Sequence, residues 1–248
     1  MRRSAWVAIG LVTIALGLIL LLPFLGNLDE ETGTQTFDGV TDLVFDLENS
    51  PVNIIGGANG TVVEMSVTTG LFAGDVTVEQ SGGTLRLEQR CPLFIGWGCR
   101  AFFAVTLPSD VVVSGSTSNG AITAESLDEP ISVTTSNGTI NVVDLSAPVA
   151  LRTSNGAILA LGLTAPEVEA STSNGRVQLE FAAAPDSVRA TSSNGAIIVT
   201  LPEESPDYAV STSTSNGRVS TEVRTDPAAP ASIDVETSNG DITVKYAG

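Results

Sequence analysis

Histidine is absent from all 248 residues. That excludes Ser-His-Asp and Cys-His nucleophilic catalysis and the common histidine-based metal sites. There are only two cysteines, too few for a zinc site without histidine. Cations are scarce too: 11 Lys and Arg face 28 Asp and Glu, for a net charge of −17. Arg2 and Arg3 lie in the N-terminal flank, so the chain beyond residue 28 has nine basic and 28 acidic residues, a balance of −19. Charge-driven binding to nucleic acid or anionic lipid is disfavoured on such a surface, and no nucleic-acid partner is expected. Long Leu/Ala/Glu/Lys-rich stretches at helical spacing are missing outside the N-terminus. Recurrent Val and Ile, with abundant Gly, Ser, Thr and Asn, point to strands and tight turns.

The exception is the start of the chain. Arg2 and Arg3 precede an apolar run from Ala5 to Leu22 in which only Thr13 is polar. As a helix this run is about 27 Å long, close to the bilayer core of about 30 Å. Its exit, Leu22-Pro23-Phe24-Leu25-Gly26-Asn27-Leu28, has no small-x-small cleavage site and no lipidation cysteine. Residues 1–28 are therefore expected to be a cytoplasmic tip and an uncleaved transmembrane anchor, with a cleaved signal as the alternative. The positive-inside rule keeps the arginine pair in the cytoplasm and puts the rest outside, as a single-pass cell-membrane protein. Residues 29–35 read as a linker. Export agrees with Cys91 and Cys99, which close a short loop as a candidate disulfide. The loop carries Phe94, Ile95 and Trp97, read either as a cap on the core or as a contact loop for a partner.

The triplet Ser-Asn-Gly occurs seven times, at Asn119, Asn137, Asn155, Asn174, Asn194, Asn216 and Asn239. Such a recurrence is an internal repeat. Counting from each Asn, positions −6, −4, +3 and +5 are mostly apolar. Around Asn137 they are Ile131, Val133, Ile140 and Val142. This period of two makes each triplet a turn between half-buried strands. Asn and Gly both tolerate positive φ, which suits a sharp corner. Position −2 is Thr or Ser in every copy. The connectors carry Pro and lengthen toward the C-terminus. Two architectures fit. In a β-solenoid, about seven coils stack and the seven Asn form a structural ladder. In the rival, each Asn-Gly is a hairpin turn of a sandwich. The constant corner favours the solenoid over residues 111–248. Residues 36–110, with Asn59-Gly60 as a degenerate corner, read as an irregular capping start of the same all-β domain. Asp241 and Lys245 read as charges on an exposed C-terminal edge.

The outward columns bear on chemistry. Glycoside cleavage needs two carboxylates about 5–10 Å apart. Columns −3 and −5 mix Ser, Thr, Ala, Arg and isolated acids, and Glu169, Asp234 and Glu236 read as solvated surface charges. Asp128-Glu129 and Glu203-Glu204 fall in connectors, short of the oxygen shell a hard cation needs. Gly56 to Gly60 is not a phosphate loop, because neither Lys nor a helix follows. No catalytic residue, cofactor or metal is expected. The anchor, the strand-rich opening, Val105-Thr106-Leu107-Pro108 leading into Val111-Val112-Val113, and the serial Thr-Ser-Asn-Gly corners together resemble the bacterial "putative adhesin" family of β-strand-repeat proteins of unknown function, over roughly residues 36–248. The resemblance implies a right-handed β-helix-like domain at the cell envelope and brings no catalytic residues. The resulting expectation is a non-enzymatic extracytoplasmic module that binds an envelope glycan or a membrane-protein partner. The alternatives are a carbohydrate-active β-helix enzyme and a regulatory partner in envelope stress.

Overall fold

The computed structural model describes residues 29–69, 75–91 and 99–248. The expected anchor and Phe94, Ile95 and Trp97 lie outside the described residues. No helix of the described residues is long and apolar enough to cross a membrane.

The described chain is all β. The opening region holds β1 (Asp29–Phe37), β2 (Asp42–Leu47), β3 (Val52–Ile55), β4 (Thr61–Thr69), β5 (Asp75–Ser81), β6 (Thr84–Arg90) and β7 (Ala101–Thr106). The repeats follow as strand pairs, each joined through one Ser-Asn-Gly corner. They are β8 (Val112–Thr117) with β9 (Ile122–Leu127), β10 (Ile131–Thr135) with β11 (Ile140–Leu145), and β12 (Val149–Thr153) with β13 (Ile158–Leu163). Then come β14 (Glu167–Thr172) with β15 (Val177–Phe181), β16 (Ser187–Ser192) with β17 (Ile197–Leu201), β18 (Ala209–Asn216) with β19 (Val219–Thr221), and β20 (Ser232–Asn239) with β21 (Ile242–Tyr246).

The two strands flanking a corner go to different sheets. One sheet has 11 strands in the order β1-β4-β7-β3-β9-β11-β13-β15-β17-β21-β19. The other has 10 in the order β18-β20-β16-β14-β12-β10-β8-β2-β6-β5. Successive repeats pair in parallel and in register, for example Val133 with Leu151 and Val142 with Ala160. Hairpins would instead make the flanking strands antiparallel neighbours. The repeats are therefore stacked coils, each adding one strand to each face. Positions −6, −4, +3 and +5 point inward: Ile131, Val133, Ile140 and Val142 are all at most 2% exposed. Burying each such side chain contributes about 1.5–3 kcal/mol relative to leaving it in water.

The coils do not stack in chain order. At the C-terminal end the last repeat, β20–β21, lies between β16–β17 and the sixth repeat, β18–β19. The inward residues explain the order. Register places Thr212 over Val235 and Thr221 over Val244. The more apolar coil takes the covered position, and the threonine-bearing coil faces solvent as a polar cap, as terminal repeats must. β21 is thus an interior strand, and Asp241 and Lys245 do not guard an edge. Asp241 instead accepts a 3.0 Å ion pair from Arg218 of the outermost coil. The N-terminal end mirrors this inversion: β2–β3 sits between β8–β9 and β6–β7. There β4 and β5 add antiparallel to β7 and β6, and β1 pairs antiparallel outside β4.

Candidate functional site

The corner is the most regular feature of the stack. Asn216 Nδ2 donates to Asn239 Oδ1, Asn239 to Asn194, Asn194 to Asn174, Asn174 to Asn155, Asn155 to Asn137, and Asn137 to Asn119, each at 2.8–2.9 Å. Asn119 donates at 2.6 Å to Asn49. The ladder therefore has an eighth member that the triplet does not reveal. Asn49-Ser50 supplies the corner of β2–β3, and Asn59-Gly60 lies in a bend outside the ladder. All eight amides point the same way, and Asn49 Nδ2 ends the row on Cys91 Sγ at 3.1 Å. Cys91 and Cys99 form a disulfide. Beside it, the buried Gln89 accepts from Ser50 Oγ at 2.6 Å and donates to Cys99 Sγ at 3.7 Å.

Beneath the amides runs a second, buried row. Thr135 Oγ1 donates to the Gly120 carbonyl of the preceding coil at 3.0 Å and accepts from its own Gly138 N–H at 3.1 Å. Thr153, Thr172, Ser192 and Thr237 make the same donation to the neighbouring coil's glycine carbonyl. This explains a hydroxyl at an inward position: it satisfies polar backbone that two closely stacked coils would otherwise bury unpaired.

The glycine serves close approach, not positive φ. No corner glycine or asparagine is among the positive-φ residues. A Cβ on Gly138 would lie 1.8 Å from the Gly120 carbonyl oxygen, and one on Gly156 would lie 1.8 Å from that of Gly138. Left-handed backbone occurs instead near the far ends of the second strands, at Ser126 in β9 and Asp144 in β11.

The outer faces carry the charges. Arg152 pairs with Glu169 at 2.6 Å and Arg189 with Asp234 at 3.0 Å, so neighbouring coils exchange ion pairs. Glu169 and Arg189, adjacent in register, point their ion pairs to different partners. Ser109 and Ser146 hydroxyls hold the Asp128 carboxyl below the usual range. The Arg218 backbone N–H, with its guanidinium, does the same for Asp241. These shifts favour ionised, solvated carboxylates, the opposite of what a general acid at neutral pH needs. Among the described residues, no group of three or more Asp, Glu or Cys is placed to hold a metal ion.

One concavity lies on the 10-stranded sheet, a shallow groove of about 450 Å³. Its floor includes Ser114, Ser132 and Ala150, its rim Pro130 and Pro148, and Glu169 and Arg189 stand at one end. The small residues are the −5 column, brought side by side by the coil register. The −5 column is visible in the sequence but the groove is not, because it forms only when the coils lie in register, with Pro130 and Pro148 lining it beside the serines.

Comparison with solved structures finds the same fold in several bacteria. A "putative adhesin" from Parabacteroides distasonis matches with a TM-score of 0.53 and 11% identity, covering 90% of this chain and 98% of that one. One from Parabacteroides merdae matches with a TM-score of 0.50 and 16% identity, covering 90% and 98%. One from Bacteroides fragilis matches with a TM-score of 0.50 and 10% identity, covering 89% and 98%. At these identities the likeness is one of fold alone. No curated protein matches the chain. The Toastrack DUF4097 family model matches residues 40–245, nearly the whole β domain, and the chain belongs to that family.

Proposed function

We propose that this protein is a non-enzymatic binding module of the cell envelope, tethered by residues 1–28 and displaying its β stack outside the membrane. The carrying observation is the groove on the 10-stranded sheet, where Ser114, Ser132 and Ala150 form a hydroxyl-bearing floor beside Glu169 and Arg189. Shallow, open and bordered by hydroxyls and by the separately paired charges of Glu169 and Arg189, it suits a flat hydroxyl-rich chain such as an envelope glycan. The solved structures named putative adhesins are in keeping with a binding role.

The test uses Ala150→Arg, which fills the groove from the outer face without touching the core. The full chain should retain envelope glycans on an array, and Ala150→Arg should lose that retention while keeping the parent unfolding temperature. Unchanged retention by the variant would refute the groove as the site. Release of reducing sugar that vanishes on replacing Glu169 would refute the non-enzymatic reading.

A further inference from the structure

The chain holds eight Asn-Gly dipeptides, the seven corners and Asn59-Gly60. In this dipeptide the glycine nitrogen can attack the asparagine Cγ. The N–Cγ bond forms, the Cγ–Nδ2 bond breaks and ammonia leaves. Water then opens the succinimide to aspartate or isoaspartate. The reaction needs an asparagine free to swing toward its own backbone and an accessible glycine nitrogen.

We propose that the stack protects six of these sites and leaves Asn216, with Asn59, as the spontaneous modification sites of the folded protein. Six ladder amides are held at both ends, donating to one neighbour and accepting from another. Asn216 alone among the seven has a side-chain amide that donates while its side-chain oxygen accepts from no described residue, because it ends the row. Its glycine differs as well. Gly120, Gly138 and Gly156 are buried, Gly175, Gly195 and Gly240 are half-buried, and Gly217 is exposed. The coil bearing Asn216 is the polar outermost one, which opens with the smallest free energy. Asn59 is exposed in a bend outside the ladder. Deamidation at Asn216 replaces the donor to Asn239 Oδ1 with a carboxylate that repels it. The isoaspartate form also adds a methylene to the backbone between β18 and β19. The modification therefore loosens the terminal coil and adds negative charge at the open end.

The detergent-solubilised full chain, incubated at mildly alkaline pH and mapped by mass spectrometry, tests this. Asn216 and Asn59 should convert at least about tenfold faster than Asn137, Asn155 or Asn174, since rates at protected sites scale with the opened population. In denaturant all eight should convert at comparable rates. Gly217→Ala should slow conversion at Asn216 and leave Asn59 unchanged. Native conversion at Asn155 as fast as at Asn216, or an inert Asn216 in the folded protein, would overturn the proposal.

Discussion

Gly156→Ala is expected to destabilise the protein by about 3–5 kcal/mol, the cost of overpacking plus a buried carbonyl left without its partner. The new Cβ would sit 1.8 Å from the Gly138 oxygen and 2.6 Å from its carbonyl carbon, with Thr153 Oγ1 at 3.0 Å. Relief requires the two coils to separate. Separation breaks the 3.0 Å bond from Thr153 to Gly138 and the 2.9 Å bond from Asn155 to Asn137. Gly217→Ala provides the contrast. Its Cβ would meet the Gly240 oxygen at 1.9 Å, yet among the described residues no coil lies beyond it, so the terminal coil can lift. That variant should lose less than about 1.5 kcal/mol, since a surface element yields locally. Urea denaturation followed by circular dichroism measures both. Equal losses would show that a coil's place in the stack does not set the cost of a corner Cβ.

The second large effect concerns the inverted order of the last two coils. Val235→Thr combined with Val244→Thr is expected to lower stability by roughly 2–6 kcal/mol, because each buried hydroxyl without a partner costs about 1–3 kcal/mol. Both valines are fully buried. The reciprocal pair, Thr212→Val with Thr221→Val, should leave the monomer's stability nearly unchanged. It should also promote self-association, because the open end of the stack, a cavity of about 510 Å³ lined by Val210, Thr212, Thr221 and Val223, would become apolar. Denaturant titration and sedimentation read the two outcomes. A stable first variant would mean that side-chain polarity does not decide which coil is covered.

Much of this architecture was legible because repetition converts local pattern into global placement. Once Ile131, Val133, Ile140 and Val142 share one inward face, every copy must follow, and stacked copies place their asparagines in a row. What escaped depended on comparing copies rather than aligning them. The inverted order was encoded in Thr212 and Thr221 against Val235 and Val244, a difference of interior polarity between two otherwise matching repeats. The eighth ladder member escaped because Ser50 stands where the other corners have glycine, while Asn59-Gly60 offered a more conspicuous dipeptide. The role of the corner glycine was misassigned for a physical reason: positive φ and close approach both call for glycine, and only the 1.8 Å approach of a neighbouring carbonyl separates them. The groove escaped because its lining runs across five coils, from β8 through β10, β12 and β14 to β16, and belongs to no single repeat.

The stacked order of the coils sets where the groove, the ladder and the open end lie, and amide hydrogen exchange tests it most directly. Protection should follow spatial position. The strands β8 to β17 should exchange near the global unfolding free energy, β20–β21 should match them, and β18–β19 should exchange faster although they precede β20–β21 in the chain. Protection that declines steadily from β17 through β18–β19 to β20–β21 would contradict the account and restore a simple sequential solenoid.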